Sequence, residues 1–262
     1  MREWLAVIQF RGSIRERSVE PYLRILRGLR ERKRVKGVLL DISSGGGADI
    51  PSTDFYLAVK RLDQVKPVVA SIGSIGASGA YMAALGARRV WAYPDSAVGS
   101  IGVIFPHFAV QGLLDKLGIQ VELLHEGRHK DAYQGVRTLT DEERTKLQAV
   151  AADSYNSFVE LVARERKRTP DEIRPLATGE FWSGKRALEL GLVDALGDRE
   201  TALEELARIT GVSSRRAALV TPPVPFMARF LAGGMSSITS SLSQSLRAEV
   251  EDALYEGLLG RR

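Results

Sequence analysis

The run Gly76-Ala77-Ser78-Gly79-Ala80-Tyr81 sets one serine among residues too small to hinder a sharp bend. It follows the apolar stretch at 67–72 and precedes Met82-Ala83-Ala84-Leu85, so it reads as strand, tight turn and helix. Such a turn leaves Ser78 Oγ exposed beside the N–H groups that open a helix, the placement a nucleophile needs. The same residues would also make an ordinary glycine-rich turn with a serine N-cap. A second glycine-rich turn, Ser43-Ser44-Gly45-Gly46-Gly47, follows the apolar strand Val38-Leu39-Leu40. Its successive N–H groups could hold an oxyanion, with the Gly79 N–H as the other half of the hole. Phosphate binding and a flexible loop are the alternatives. No Gly-Lys-Ser/Thr follows to make a P-loop, and the glycines stand too close together for a dinucleotide fingerprint.

A serine hydroxyl is a poor nucleophile without a general base in hydrogen-bond reach. The loop His125-Glu126-Gly127-Arg128-His129-Lys130-Asp131 offers two. A lysine such as Lys130 serves only where an apolar wall strips water from its ammonium. His129 could serve instead, in a Ser-His-Asp arrangement with a nearby carboxylate. A surface lysine in a charged loop is the plainer reading of the same residues. The chain has no cysteine and three histidines, none in a His-x-x-x-His pattern. That removes disulfides and thiolate nucleophiles and leaves little to build a catalytic metal site, so no cofactor is expected.

These turns need strands and helices to hold them. With 262 residues, 44% of them apolar, the chain can bury a substantial core. Short apolar runs predict strands at 5–10, 37–42, 68–72, 90–92 and 121–125. Helical patterns lie between them at 18–31, 53–65, 78–85 and 109–117. Alternation of this kind indicates an α/β fold with a largely parallel sheet of repeated βα units and helices on both faces. A helical segment follows. It is opened by a capping box at Thr140 and Glu143 that predicts a helix over 140–166, with further helices at 170–177, 183–190 and 199–209.

The expected divisions are a catalytic domain over 1–211, a proline-containing linker over 212–225 and a tail over 226–262. In the tail Leu242, Leu246, Val250, Leu254 and Leu258 recur every four residues, the mark of an amphipathic helix. It could dock on the body, pair with another subunit or lie on a membrane surface. Residues 11–36 carry ten Arg or Lys against Glu16, Glu20 and Glu31, interleaved with Tyr22, Leu23, Leu26 and Leu29. That is the solvated face of an amphipathic helix rather than a nucleic-acid surface. No signal peptide is read at the N-terminus, and no run approaches the ~20 apolar residues of a spanning helix.

Taken in order, several of these motifs give the chain its likeness. They are the glycine-rich turn after a strand, the Gly-Ala-Ser-Gly-Ala-Tyr turn, Val98-Gly99-Ser100-Ile101-Gly102-Val103 and the Gly-Arg-His-Lys-Asp loop. Gly179-Glu180-Phe181-Trp182-Ser183-Gly184-Lys185-Arg186-Ala187 and Gly191-Leu192-Val193-Asp194 complete the order. From about residue 5 to 211 the chain resembles the signal peptide peptidase A family, serine-lysine proteases of the Clp protease/crotonase fold. The resemblance implies Ser78 as nucleophile, Lys130 as general base and Ser100 as a hydroxyl orienting the lysine amine. Gly46 or Gly47, with Gly79, would form the oxyanion hole.

It further implies an endopeptidase acting on hydrophobic or signal-peptide-like peptides, assembled as a homo-oligomer with active sites near subunit boundaries. The expected location is cytoplasmic, with peripheral membrane contact open only through the tail. The family turn usually reads Asn-Ser-Pro-Gly-Gly, and its replacement by Ser43-Ser44-Gly45-Gly46-Gly47 predicts a looser turn. Two other readings remain. A crotonase-like acyl-CoA hydratase or isomerase would use Asp49 or Asp54 and leave Ser78 idle, and a non-catalytic scaffold would bring a partner to a membrane surface.

Overall fold

The computed structural model describes residues 2–222. The amphipathic tail expected over 226–262 lies outside the described residues. The first half alternates strand and helix: β1 (Trp4–Arg11), α1 (Glu16–Glu31), β2 (Val35–Ser44), α2 (Asp49–Asp63), β3 (Val68–Ala77) and α3 (Gly79–Ala84). Two short strands, β4 (Arg89–Ala92) and β5 (Ala97–Gly99), precede the short helix α4 (Gln111–Lys116) and the long helix α5 (Asp141–Arg166). The remainder is α6 (Pro170–Ile173), β6 (Phe181–Ser183), α7 (Gly184–Glu189), β7 (Ala195–Leu196), α8 (Arg199–Thr210) and β8 (Ala217–Leu219).

The strands lie in the order β6-β5-β3-β2-β1-β8, with β4 joining β3 to β7. Every described pairing is parallel except β5 with β6. The central strands are apolar on both sides because both sides are covered. Leu5, Leu39 and Val69 pack with Ala202 and Leu206 of α8. The opposite face, with Phe10, Val38, Leu40 and Ile72, packs against α1, α2 and α3. β8 falls within the span expected as linker, yet Ala217, Ala218 and Leu219 pair with Leu5, Ala6 and Val7 of β1.

At the centre of the α1–α2 face the Phe10 ring meets Tyr22 at 5.0 Å and Phe55 at 5.1 Å, both edge to face. Phe10 is 1% exposed, so Phe10→Ala removes a ring that nothing nearby can replace. The expected cost is about 3–5 kcal/mol. Urea unfolding should show it as a lower midpoint at an unchanged slope, and a loss below about 1 kcal/mol would mean the neighbouring rings collapse into the space.

One expected strand is absent. Residues 121–125 adopt no strand and stay exposed. Val121, Leu123 and Leu124 have the apolar character of a strand, but no strand of the sheet pairs with them. They belong to a stretch from about 104 to 124 whose large apolar residues, including Ile104, Phe108, Leu113, Leu117 and Leu124, face outward.

Candidate active site

β3 runs past its pairing with β4 to pair a second time. Its first half (Val69–Ile72) lies on β4, and its second half (Ile75, Gly76, Ala77) pairs with Ala97, Val98 and Gly99 of β5. Ala77 is opposite Gly99, so the next residues, Ser78 and Ser100, leave neighbouring strand ends together. β2 ends on the other side, Ser44 opposite Gly76, and releases the Gly45-Gly46-Gly47 turn. Three parallel strands thus deliver their turns to one crevice at their carboxyl ends, where open α/β sheets bind ligands.

Ser78 has φ 51° and ψ −126°, and Ser100 has φ 48°, both in backbone territory that L residues avoid. The surroundings hold them there. Ser78 N–H donates to the Gly99 carbonyl at 2.8 Å, and Ser100 N–H to the Glu180 carbonyl at 2.7 Å. Strain maintained by fixed partners between a strand and a helix is the geometry that lifts a nucleophilic hydroxyl clear of its backbone. Gly79, the first residue of α3, follows at once. A methyl group there would collide with Ser52, whose hydroxyl is turned to the Ala48 carbonyl at 2.7 Å.

The glycine turn is tighter than its composition predicts. Ile14, from the β1–α1 connection, staples it from both sides: Ile14 N–H donates to the Gly46 carbonyl at 2.8 Å and its carbonyl accepts from Ala48 N–H at 2.9 Å. Nothing local in the sequence marks Ile14 for this. The staple does for the turn what a proline would do by restricting the backbone.

The two candidate amides of this turn differ. Gly46 N–H is already donated to Ser44 Oγ at 3.1 Å, in a buried position. Gly47 N–H has no acceptor among the described residues, and neither has Gly79 N–H. A Cβ placed on Gly79 would lie 3.6 Å from the Gly47 nitrogen, so the two unspent donors flank one space beside Ser78.

That space opens into a cavity of about 930 Å³, lined by both serines and by the glycine turn. Its apolar wall comes from Met82, Val103, Ile104, Phe105, Tyr155 and Phe158, the last two contributed by α5. None of the three histidines lines it. Asp49 does, whereas Asp54 is exposed elsewhere on α2.

Lys130 is not brought to this cavity. It is exposed, and its side chain has no hydrogen-bond or ion-pair partner among the described residues. Its neighbours face the first turn of α5. His129 Nε2 is 2.9 Å from Lys146 Nζ, and Asp131 accepts from Arg137 at 2.9 Å. Between Glu143, at that end of α5, and Tyr155, in the cavity wall, lies about 18 Å of helix at about 1.5 Å per residue.

Among known proteins, residues 60–213 match the model described as peptidase family S49. Over 253 residues the chain is 34% identical to the slr0021 protein of Synechocystis sp., covering 94% of this chain and 91% of that one. It is 30% identical over 214 residues to the chloroplastic serine protease SPPA of Arabidopsis thaliana, a match that takes in 77% of this chain and 32% of the relative. The chain therefore spans nearly all of the first relative and about a third of the second. Among solved structures, a membrane-bound stomatin-specific protease superposes with a TM-score of 0.55 at 12% identity, over 85% of this chain and 100% of that one. ClpP1 of Listeria monocytogenes superposes with a TM-score of 0.51 at 12% identity, over 75% and 93%. At such identities the two structures speak for the fold, which is of the Clp protease type. Among the described residues no helix is long and apolar enough to cross a membrane.

Proposed function

Because the chain belongs to peptidase family S49, the signal peptide peptidase A family, we propose that it is a serine endopeptidase working through Ser78 and Lys130. The observation that carries the reading is the strained Ser78 between two amides with no acceptor, at the mouth of a cavity with an apolar wall. Ser78 Oγ attacks the scissile carbonyl as the neutral Lys130 amine takes its proton. Gly47 and Gly79 N–H groups receive the oxyanion, and Gly46 keeps the turn in place through Ser44. The lysine then protonates the leaving amine as the C–N bond breaks. Water, deprotonated by the same amine, releases the acyl group by the reverse sequence. Ser100, at the paired strand end, orients the amine. Met82, Phe105, Tyr155 and Phe158 favour an extended peptide with apolar side chains.

Lysine works as a base only where water is kept from it, and Lys130 is exposed in the single chain. A second copy supplies the missing cover in this reading. The outward-facing Ile104, Phe108, Leu113, Leu117 and Leu124 form the kind of apolar surface that partners bury, and Lys130 closes on the Ser78 of the neighbour.

The test is the mass of the intact chain after exposure to a fluorophosphonate. One adduct on Ser78 is expected, and its formation should slow sharply in Lys130→Ala. Labelling at another serine, or none, would remove Ser78 from the role. An unchanged rate in Lys130→Ala would remove the lysine.

A further inference from the structure

Among the described residues two helices open on a Thr/Glu capping box, and one of these two boxes has been given an arginine fork. At α6, Thr169 and Glu172 exchange their hydrogen bonds in the open, with Arg168 3.7 Å from the carboxylate. At α5, Thr140 and Glu143 make the same exchange, but the Glu143 side chain is 3% exposed. Arg137 grips it with two parallel bonds of 2.9 and 2.8 Å. A helix cap does not need this, and taking a carboxylate out of water is costly unless well-aligned charged hydrogen bonds repay it.

What it fixes is next to Lys130. The Nε of the same Arg137 donates to Asp131 at 2.9 Å, and the Arg137 carbonyl lies 2.9 Å from His107 Nε2. Behind Asp131, Ala132 is fully buried and its N–H donates to the His129 carbonyl at 3.3 Å, while Gln134 N–H donates to Asp131 at 3.1 Å. The residue after Lys130 is therefore tied through one guanidinium to a buried carboxylate in the first turn of the long helix α5. Lys130 itself is left pointing free. The Arg137 hydrogen bond is also the main reason the Glu143 carboxyl titrates well below the usual carboxylate range, so the fork stays charged throughout the working range of a peptidase.

We propose that Arg137 and Glu143 are positioning residues that hold Lys130 at the angle from which its amine meets the serine. The inference rests on Lys130 being the base. It predicts an effect on turnover without one on substrate binding, since neither residue lines the cavity.

The experiment uses the full chain and compares Arg137→Met, Arg137→Lys, Asp131→Asn and Lys130→Ala for kcat and KM on a fluorogenic peptide, with melting temperature and assembly mass recorded for each. Arg137→Met is expected to lower kcat about 10- to 100-fold at a nearly unchanged KM, as a misplaced catalytic group does. Arg137→Lys, which keeps the charge and loses the fork, should recover only part of the loss. Asp131→Asn leaves the buried pair intact and so stays informative if Arg137→Met does not fold; it should lower kcat in the same way. Glu172→Gln, in the matching box at α6, should leave kcat alone.

If folded Arg137→Met and Asp131→Asn keep kcat within about twofold while Lys130→Ala is inactive, the positioning role is wrong and the base survives. If Lys130→Ala keeps its turnover, the base assignment fails first and takes this inference with it.

Discussion

Ser78→Ala and Lys130→Ala chains, each inactive alone, are expected to recover peptide hydrolysis when mixed and allowed to reassemble. Each single change should lower turnover by roughly 10³-fold or more, because in the proposed mechanism one removes the attacking oxygen and the other the group that accepts its proton. Recovery follows if the two groups of one site come from two chains. In an equal random mixture, a site is whole when its serine side is a Lys130→Ala chain and its lysine side a Ser78→Ala chain, about a quarter of all sites in a closed symmetric assembly. Two observations favour this outcome: Lys130 is exposed and outside the cavity that Ser78 lines, and its loop is moored at the start of α5, about 18 Å along the helix from Tyr155. Native mass spectrometry would verify that mixed assemblies have formed. No recovery in verified mixtures would mean that the 127–131 loop folds over to its own serine.

Gly47→Ala is expected to lower kcat by about 10²–10³-fold with little change in KM, the size of effect seen when one oxyanion donor is lost. The methyl group would run into the Ile14 carbonyl oxygen, and the turn would have to swing away from Ser78 to admit it. The staple from Ile14 resists that movement, so the N–H direction suffers. Gly28→Ala makes the control: a methyl there meets nothing within 4 Å, and alanine is the better helix former. Steady-state kinetics on both variants decide the matter. If Gly47→Ala keeps full turnover, the second donor is not Gly47, and Gly46 would have to exchange its bond with Ser44 during the reaction.

The Ser78 turn and the glycine turn were legible as turns in the sequence because small residues after an apolar run let the backbone bend sharply. The sheet was legible for a similar reason: Val38-Leu39-Leu40 and Val68-Val69-Ala70 are apolar on both faces, which only a doubly covered strand tolerates. Residues 121–125 share part of that apolar pattern in Val121, Leu123 and Leu124 and form no strand, since local propensity does not make a strand without a partner. Register was out of reach. Nothing near Ser100 tells that Gly99 faces Ala77, and nothing near Ile14 tells that it clamps a turn some thirty residues on. The capping box at Thr140 could be read directly, but Arg137 and Asp131 could not be joined to it without the fold.

Helix α5 has one further consequence. It anchors the Lys130 loop at its start, walls the cavity through Tyr155 and Phe158, and near its end is tied to α2 by Glu165, which accepts from Tyr56 at 2.6 Å. If the base is lent to a neighbour, as proposed, a small molecule wedged under Tyr155 would block its host's pocket and misdirect the amine next door. Inhibition by such a compound would climb more steeply with dose than one molecule per centre allows.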